Sequence, residues 1–238
     1  MLFWTLKTFT EELEMPEFAK SVFKEVRPYI TKFLCSQHPF RKASMCPFVP
    51  AAVKYDQIYF TFFNESLNVK QTIEFIKECI VFFQSINNKI NGSIIILFPK
   101  EFEIKKLLDI QILNKEQCVI NYTMLGALYP SSPAPSLHND NYFPLRTPTP
   151  VLVIRDIVPS DVIFLEPRYY NIKRRLILIE GYLKKFTSTV NDESGKRYLD
   201  DARKIRSKFK KIIYIRKFLL IILLCVLITN ILFFLLKK

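Results

Sequence analysis

Residues 93–98 read SIIILF, five large apolar side chains in succession directly after Asn91-Gly92. A strand turns successive side chains to opposite faces, so an unbroken apolar run of this length predicts a strand covered on both sides. The Asn-Gly pair ahead of it marks a turn. Cover for two faces must come from neighbouring segments, and both neighbours read as helices. Residues 69–88 carry Ile73, Ile76, Cys79, Ile80 and Phe83 at helical spacing, and residues 101–113 return to a helical pattern. Further out, residues 57–63 (QIYFTFF) and 151–154 (VLVI) read as strands. Residues 14–34 form an amphipathic helix with Phe18, Val22, Phe23 and Val26 on one face, and Pro28 is tolerable there only as a kink. Residues 159–165 predict a helical turn and residues 172–190 a helix. Strands alternating with helices predict an α/β or α+β fold, a single domain over residues 1–190 with a small central sheet flanked by helices.

The C-terminal segment has a different character. Residues 218–236, FLLIILLCVLITNILFFLL, contain no charge, no Gly and no Pro. At about 1.5 Å of rise per residue this stretch reaches about 28 Å, close to the hydrocarbon thickness of a bilayer. It lacks the polar stripe of a soluble amphipathic helix and predicts a transmembrane helix. Only Lys237 and Lys238 follow, so a tail-anchored, single-pass topology is expected. The polar residues 191–195 interrupt the helical pattern, which resumes at Lys196 and runs into the span.

Charge is distributed to match. Residues 196–217 hold ten Lys or Arg against Asp200 and Asp201, a net +8 of the chain's +13. The two terminal lysines bring this to +10 and leave +3 for residues 1–195. The basic balance therefore belongs to a juxtamembrane segment, residues 191–217. Cations beside a span stay on the cytoplasmic side, which predicts a cytosolic N-terminal domain, and they attract anionic lipid headgroups. With a lipid partner accounting for the basic run, no nucleic-acid partner is implied. The first residues lack the charged start, apolar core and cleavage site of an export signal. Five scattered cysteines, one inside the span, form no disulfide framework and agree with a reducing compartment.

Residues 129–150, YPSSPAPSLHNDNYFPLRTPTP, hold six of the fourteen prolines and no period of either kind. Proline excludes helix interior and central strand, so this is an extended loop within the domain. Long irregular loops in compact domains commonly carry function; the alternative is a surface connection. Arg146 and Arg155 frame the end of this loop and the strand after it. Their planar guanidinium forks suit a small anionic ligand at a strand end, or else they pair with Asp156 and Asp161 to hold the loop. Cys46, between Met45 and Pro47, is either a ligand or nucleophile or an inert packed thiol. Four glycines leave no phosphate loop or dinucleotide fingerprint, and two histidines cannot build a histidine-rich zinc site.

Three blocks carry a resemblance: MCPFVP at 45–50, LGALYPSSPAPSLHN at 125–139 and FPLRTPTPVLVIRDIVPSDVIFL at 143–165. Together they resemble a bacterial family of domains of unknown function with Cys-Pro-Phe, His-Pro-x-Ser and Pro-Leu-Arg-Ser-Pro blocks, over about residues 15–187. Tyr129 and Asp156 stand where that family has histidine. The family is in turn distantly similar to haem-dependent N-hydroxylases of guanidine groups and amino acids. That similarity implies a bound haem with Tyr129 or His138 as axial ligand, and an oxidised small-molecule substrate. Without it, Tyr129 is a packed tyrosine anchoring the loop and His138 a loop histidine bonded to a neighbouring Asn or Asp. A rival reading is a non-catalytic sensor or interaction module whose membrane segment is the effector.

Overall fold

The computed structural model describes residues 1–86, 91–136, 139–167 and 169–236. The chain divides into two compact units, Met1–Ile157 and Val158–Lys238.

The first unit is built on a mixed five-stranded sheet. Its strands are β1 (Trp4–Thr5), β2 (Ile58–Phe62), β3 (Ser93–Leu97), β4 (Thr123–Leu128) and β5 (Val151–Asp156), in the order β1-β2-β3-β5-β4. Parallel neighbours need a crossover. For β2 and β3 it contains the helix Val69–Ser85, the third of the chain. Strand β5 lies antiparallel between β3 and β4, so the proline loop carries the chain from the end of β4 back to the start of β5.

Both faces of β3 are covered, as its composition predicts. Ile94 and Ile96 join Ile76, Ile80, Phe83 and Leu107 in one apolar cluster, lined by α3 (Val69–Ser85) and α4 (Ile104–Ile120). On the other face Ile95 and Leu97 meet Phe60, Val22, Phe23 and Val26, the last three from α1 (Glu17–Pro28). Ala52 of α2 (Val49–Lys54) joins the same cluster. Helix α3 starts with a reciprocal cap. Asn68 Oδ1 accepts the Gln71 backbone N–H at 3.0 Å and Gln71 Oε1 accepts that of Asn68 at 2.9 Å.

Expectation and structure differ in local ways. The kink at Pro28 takes the form of a π-helical turn, Tyr29–Phe33, closed by Leu34 N–H to Tyr29 O at 2.9 Å. A proline deletes one i→i−4 bond, and a wider turn re-pairs the chain beyond it. Helix α4 runs seven residues past Leu113 because Asn114 and Lys115 are buried in it, with Asn114 Nδ2 donating to Ile110 O at 2.8 Å. The helix expected to reach residue 88 ends as α3 at Ser85, and residues 87–88 lie outside the described residues. Strand β4 has no counterpart in the sequence reading: TMLGAL includes Gly126 and Ala127, poor strand formers that here sit beside β5. Strand β1 and α2 are likewise additions from the structure.

Within the first unit two thiols are sealed. Burial pushes the Cys118 thiol up to about 12, and burial raises Cys79 likewise. Each folded-state pKa lies above the unfolded value, so this stabilisation is complete below about pH 9 and is lost as pH rises toward 12. The unfolding free energy from urea titrations should therefore fall above about pH 9, with a slope of up to about 1.4 kcal/mol per pH unit for each group. Cys118→Ala should flatten that slope; an unchanged slope would remove the assignment.

The second unit comprises a 3₁₀ turn (Pro159–Phe164), α5 (Ile172–Phe186) and the 44-residue α6 (Glu193–Leu236). Asp192 caps α6, its Oδ2 accepting the Gly195 N–H at 2.9 Å. A Cβ at Gly195 would come within 2.4 Å of Val190 Cγ1 and 2.9 Å of Asp192 Oδ1, so only glycine fits without rearrangement. The polar interruption at 191–195 is thus the start of one continuous helix. Its N-terminal half packs on α5: Leu199, Ala202 and Phe209 are buried on α6, and Ile179, Tyr182, Leu183 and Phe186 on α5. Lys210 pairs with Glu180 at 3.0 Å. The helix, described in this respect to Thr229, is long and apolar enough to cross a membrane, and its apolar window is unburied. Thr229 Oγ1 returns its hydroxyl to the carbonyls of Cys225 and Val226, at 3.0 and 2.9 Å, which satisfies its polar group within the apolar helix.

Candidate functional site

The proline loop is held along most of its length. Ser132 N–H bonds to Tyr129 O at 3.1 Å, Ser136 N–H to Tyr142 O at 2.6 Å, and Thr147 Oγ1 donates to Thr149 O at 2.7 Å. Its middle docks on the segment that follows the π turn. Tyr29 donates its hydroxyl to Pro144 O at 2.6 Å, and Tyr142 its own to the Met45 sulfur at 3.3 Å. Burial, with Cys46 and Tyr142 as neighbours, holds the Tyr29 hydroxyl well above the usual phenol range. The Cys-Pro-Phe block at residue 46 and the proline loop, far apart in sequence, therefore meet.

A histidine that sequence reasoning passed over pins this junction. His38 is buried, accepts the Phe40 N–H on Nδ1 at 3.1 Å, and has Nε2 3.3 Å from Ser136 Oγ. With Nδ1 accepting, the hydrogen-bond network assigns the proton to Nε2 in the neutral ring. The ring also lies 5.5 Å from that of Tyr142, edge to face. Both nitrogens are engaged by protein, so His38 serves as a clamp between the two segments. The only sequence cue was the dipeptide His38-Pro39, which has the turn-forming proline but no partner spacing.

The predicted site residues fall in different places. Arg146 is exposed on the loop: its Nε donates to Ser132 O at 3.0 Å and its guanidinium lies 4.0 Å over the Phe143 ring. Carbonyl and ring together fix the plane of the fork, and its outer nitrogens have no hydrogen-bond partner among the described residues. Arg155 lies elsewhere. It pairs with Ser93 at the far end of β5, four residues or about 13 Å of strand beyond Val151, and its Nη1 donates to Asp156 O at 2.8 Å. The two arginines do not converge on one ligand. Cys46 is half-buried beside Tyr29. Tyr129 packs against the cluster under α3 and α4. His138 lies outside the described residues.

Two grooves open on the first unit. One, of about 560 Å³, is lined by Cys35, Gln37, Lys42, Ala43 and Ser44. The other, of about 380 Å³, lies over Thr61, Leu67 and Glu78. Tyr129 lines neither, and no group of three potential metal ligands occurs among the described residues.

Among known proteins, no curated protein and no solved structure matches the chain. Residues 23–197, from within α1 to the first turn of α6, match the family described as a domain of unknown function, DUF6875, and the chain belongs to that family.

Proposed function

We propose that this is a single-pass membrane protein whose N-terminal portion binds a small anionic molecule at the proline loop through Arg146. The observation that carries the reading is the orientation of Arg146, with its plane set by Ser132 O and Phe143 and its outer nitrogens unpartnered. A guanidinium fixed in this way offers two parallel donors to a carboxylate or phosphate and loses little side-chain entropy on binding. Oxidation of that molecule is no part of the proposal.

The membrane role rests on α6. Sixteen of residues 218–236 are Leu, Ile, Phe or Val, at about 0.3–0.6 kcal/mol each a gain on insertion of roughly 5–10 kcal/mol. Tyr214, 72% exposed one turn before the apolar stretch, sits where an interfacial aromatic anchors a span. The basic run from Lys196 to Lys217 supports a cytosolic position of that flank, against anionic lipid.

Arg146→Lys keeps the charge and loses the fork. Titrated with phosphate and with small carboxylates, the full-length protein in non-ionic detergent should bind one of them about tenfold more tightly than the variant, a difference of about 1.4 kcal/mol. Arg155→Lys, at the other end of β5, should bind as wild type does. Equal affinity of wild type and Arg146→Lys for every anion would sink the proposal.

A further inference from the structure

Residues 34–38 and 43–46 run side by side, antiparallel at one isolated bridge. Gln37 bridges Ser44, His38 N–H bonds to Ala43 O at 2.8 Å, Met45 N–H to Ser36 O at 2.7 Å and Cys46 N–H to Leu34 O at 3.0 Å. The carbonyls on both sides of Cys35 are thus held by Cys46 and the residue before it. Pro47 has no N–H to extend the pairing, and it ends there. Cys35 and Cys46 are consequently cross-strand neighbours. A disulfide spans Cα atoms roughly 4.4–6.8 Å apart, and the Cys46 N–H bonded to the carbonyl just before Cys35 keeps the two backbones adjacent at that point.

We propose that Cys35 and Cys46 are a redox pair that closes to an intramolecular disulfide under peroxide and reopens with a dithiol reductant. Both are free and half-buried, whereas Cys79 and Cys118 are fully buried and Cys225 lies in the apolar half of α6. Cys35 lines the larger groove, which gives a small oxidant access. Its Sγ donates weakly to Ile30 O at 3.5 Å, and turning toward Cys46 forfeits only that contact. Burial and the nearby Cys46 also raise the Cys35 thiol above its ordinary value.

The chemistry balances with peroxide as oxidant. The thiolate of Cys35, the residue that lines the groove, attacks one peroxide oxygen, the O–O bond breaks, and a sulfenic acid forms while the departing hydroxide takes up the proton the thiol released and leaves as water. The Cys46 thiolate then attacks the sulfenic sulfur, the S–S bond forms, and the departing hydroxide takes the second thiol's proton to leave as water. Two thiols lose two electrons and two protons, and hydrogen peroxide becomes two waters. The closed loop contains His38, the clamp on Ser136, so the oxidised state fixes the seat of the proline loop. None of this depends on the anion-binding reading.

The test uses the full chain in non-ionic detergent, treated with one equivalent of hydrogen peroxide, alkylated, digested and mapped by mass spectrometry. The expected product is a peptide pair joined through Cys35 and Cys46, with an intact mass lower by about 2 Da and restored by dithiothreitol. Cys35→Ser and Cys46→Ser should each abolish that mass loss. The proposal is overturned if wild-type Cys35 and Cys46 are both recovered alkylated or over-oxidised, if either is joined to Cys225 or to a second molecule, or if the mass loss survives in either variant.

Discussion

Deleting residues 218–236 moves the protein from the membrane pellet to a state that salt alone can strip from lipid. The full chain should sediment with membranes and resist both high salt and alkaline carbonate, because the roughly 5–10 kcal/mol of apolar insertion is indifferent to ionic strength. The shortened chain keeps the +8 of residues 196–217, so at low salt it should still associate with anionic vesicles at about 1 kcal/mol per near-surface cation. That attraction is screened within a Debye length, about 10 Å at 0.1 M salt and about 3 Å at 1 M. Release of the shortened chain by high salt, with full-length protein retained, is the expected pair of results. Full-length protein in the supernatant without detergent would refute the membrane reading.

Phe60→Ala should cost about 3–5 kcal/mol, the largest single-site loss expected in the first unit. Phe60 is fully buried at the centre of an aromatic group, edge-on to Phe23 at 4.8 Å and beside Trp4 at 6.2 Å. Deleting the ring removes its transfer energy, opens a cavity between β2 and α1, and forfeits the edge-to-face pairing. Urea unfolding of the span-deleted protein measures the loss. A change below about 1 kcal/mol would mean that the cluster on this face of the sheet is misassigned.

What the sequence made legible follows from how each element declares itself. Strand β3 and helices α1, α3 and α5 were readable because burial on two faces, or along one stripe, leaves a periodic apolar signature. Strand β4 was not, since Gly126 and Ala127 take their cover from neighbours and carry no pattern of their own. The candidate site was readable only as a composition: a proline-rich loop with arginines near it. Nothing in a spacing of nine residues tells that Arg146 precedes β5 while Arg155 ends it, because separation along a strand becomes distance only once the strand is known. The meeting of the Cys-Pro-Phe block with the loop rests on contacts such as Tyr29 to Pro144, 115 residues apart. Such contacts are fixed by tertiary packing, as are the clamp at His38 and the facing of Cys35 and Cys46.

Helix α6 has a mechanical meaning. From Lys196 to Leu236 it contains neither Gly nor Pro, and it offers no joint between the half that packs on α5 and the half that enters lipid. A helix advances about 100° per residue, so Phe218, nine residues after the buried Phe209, lies about two and a half turns further on and faces the opposite way. The side of the helix against α5 and the side that carries Phe218 are therefore held in antiphase. Any rotation or tilt imposed on the apolar half reaches the α5 contact as torque, with no hinge to absorb it.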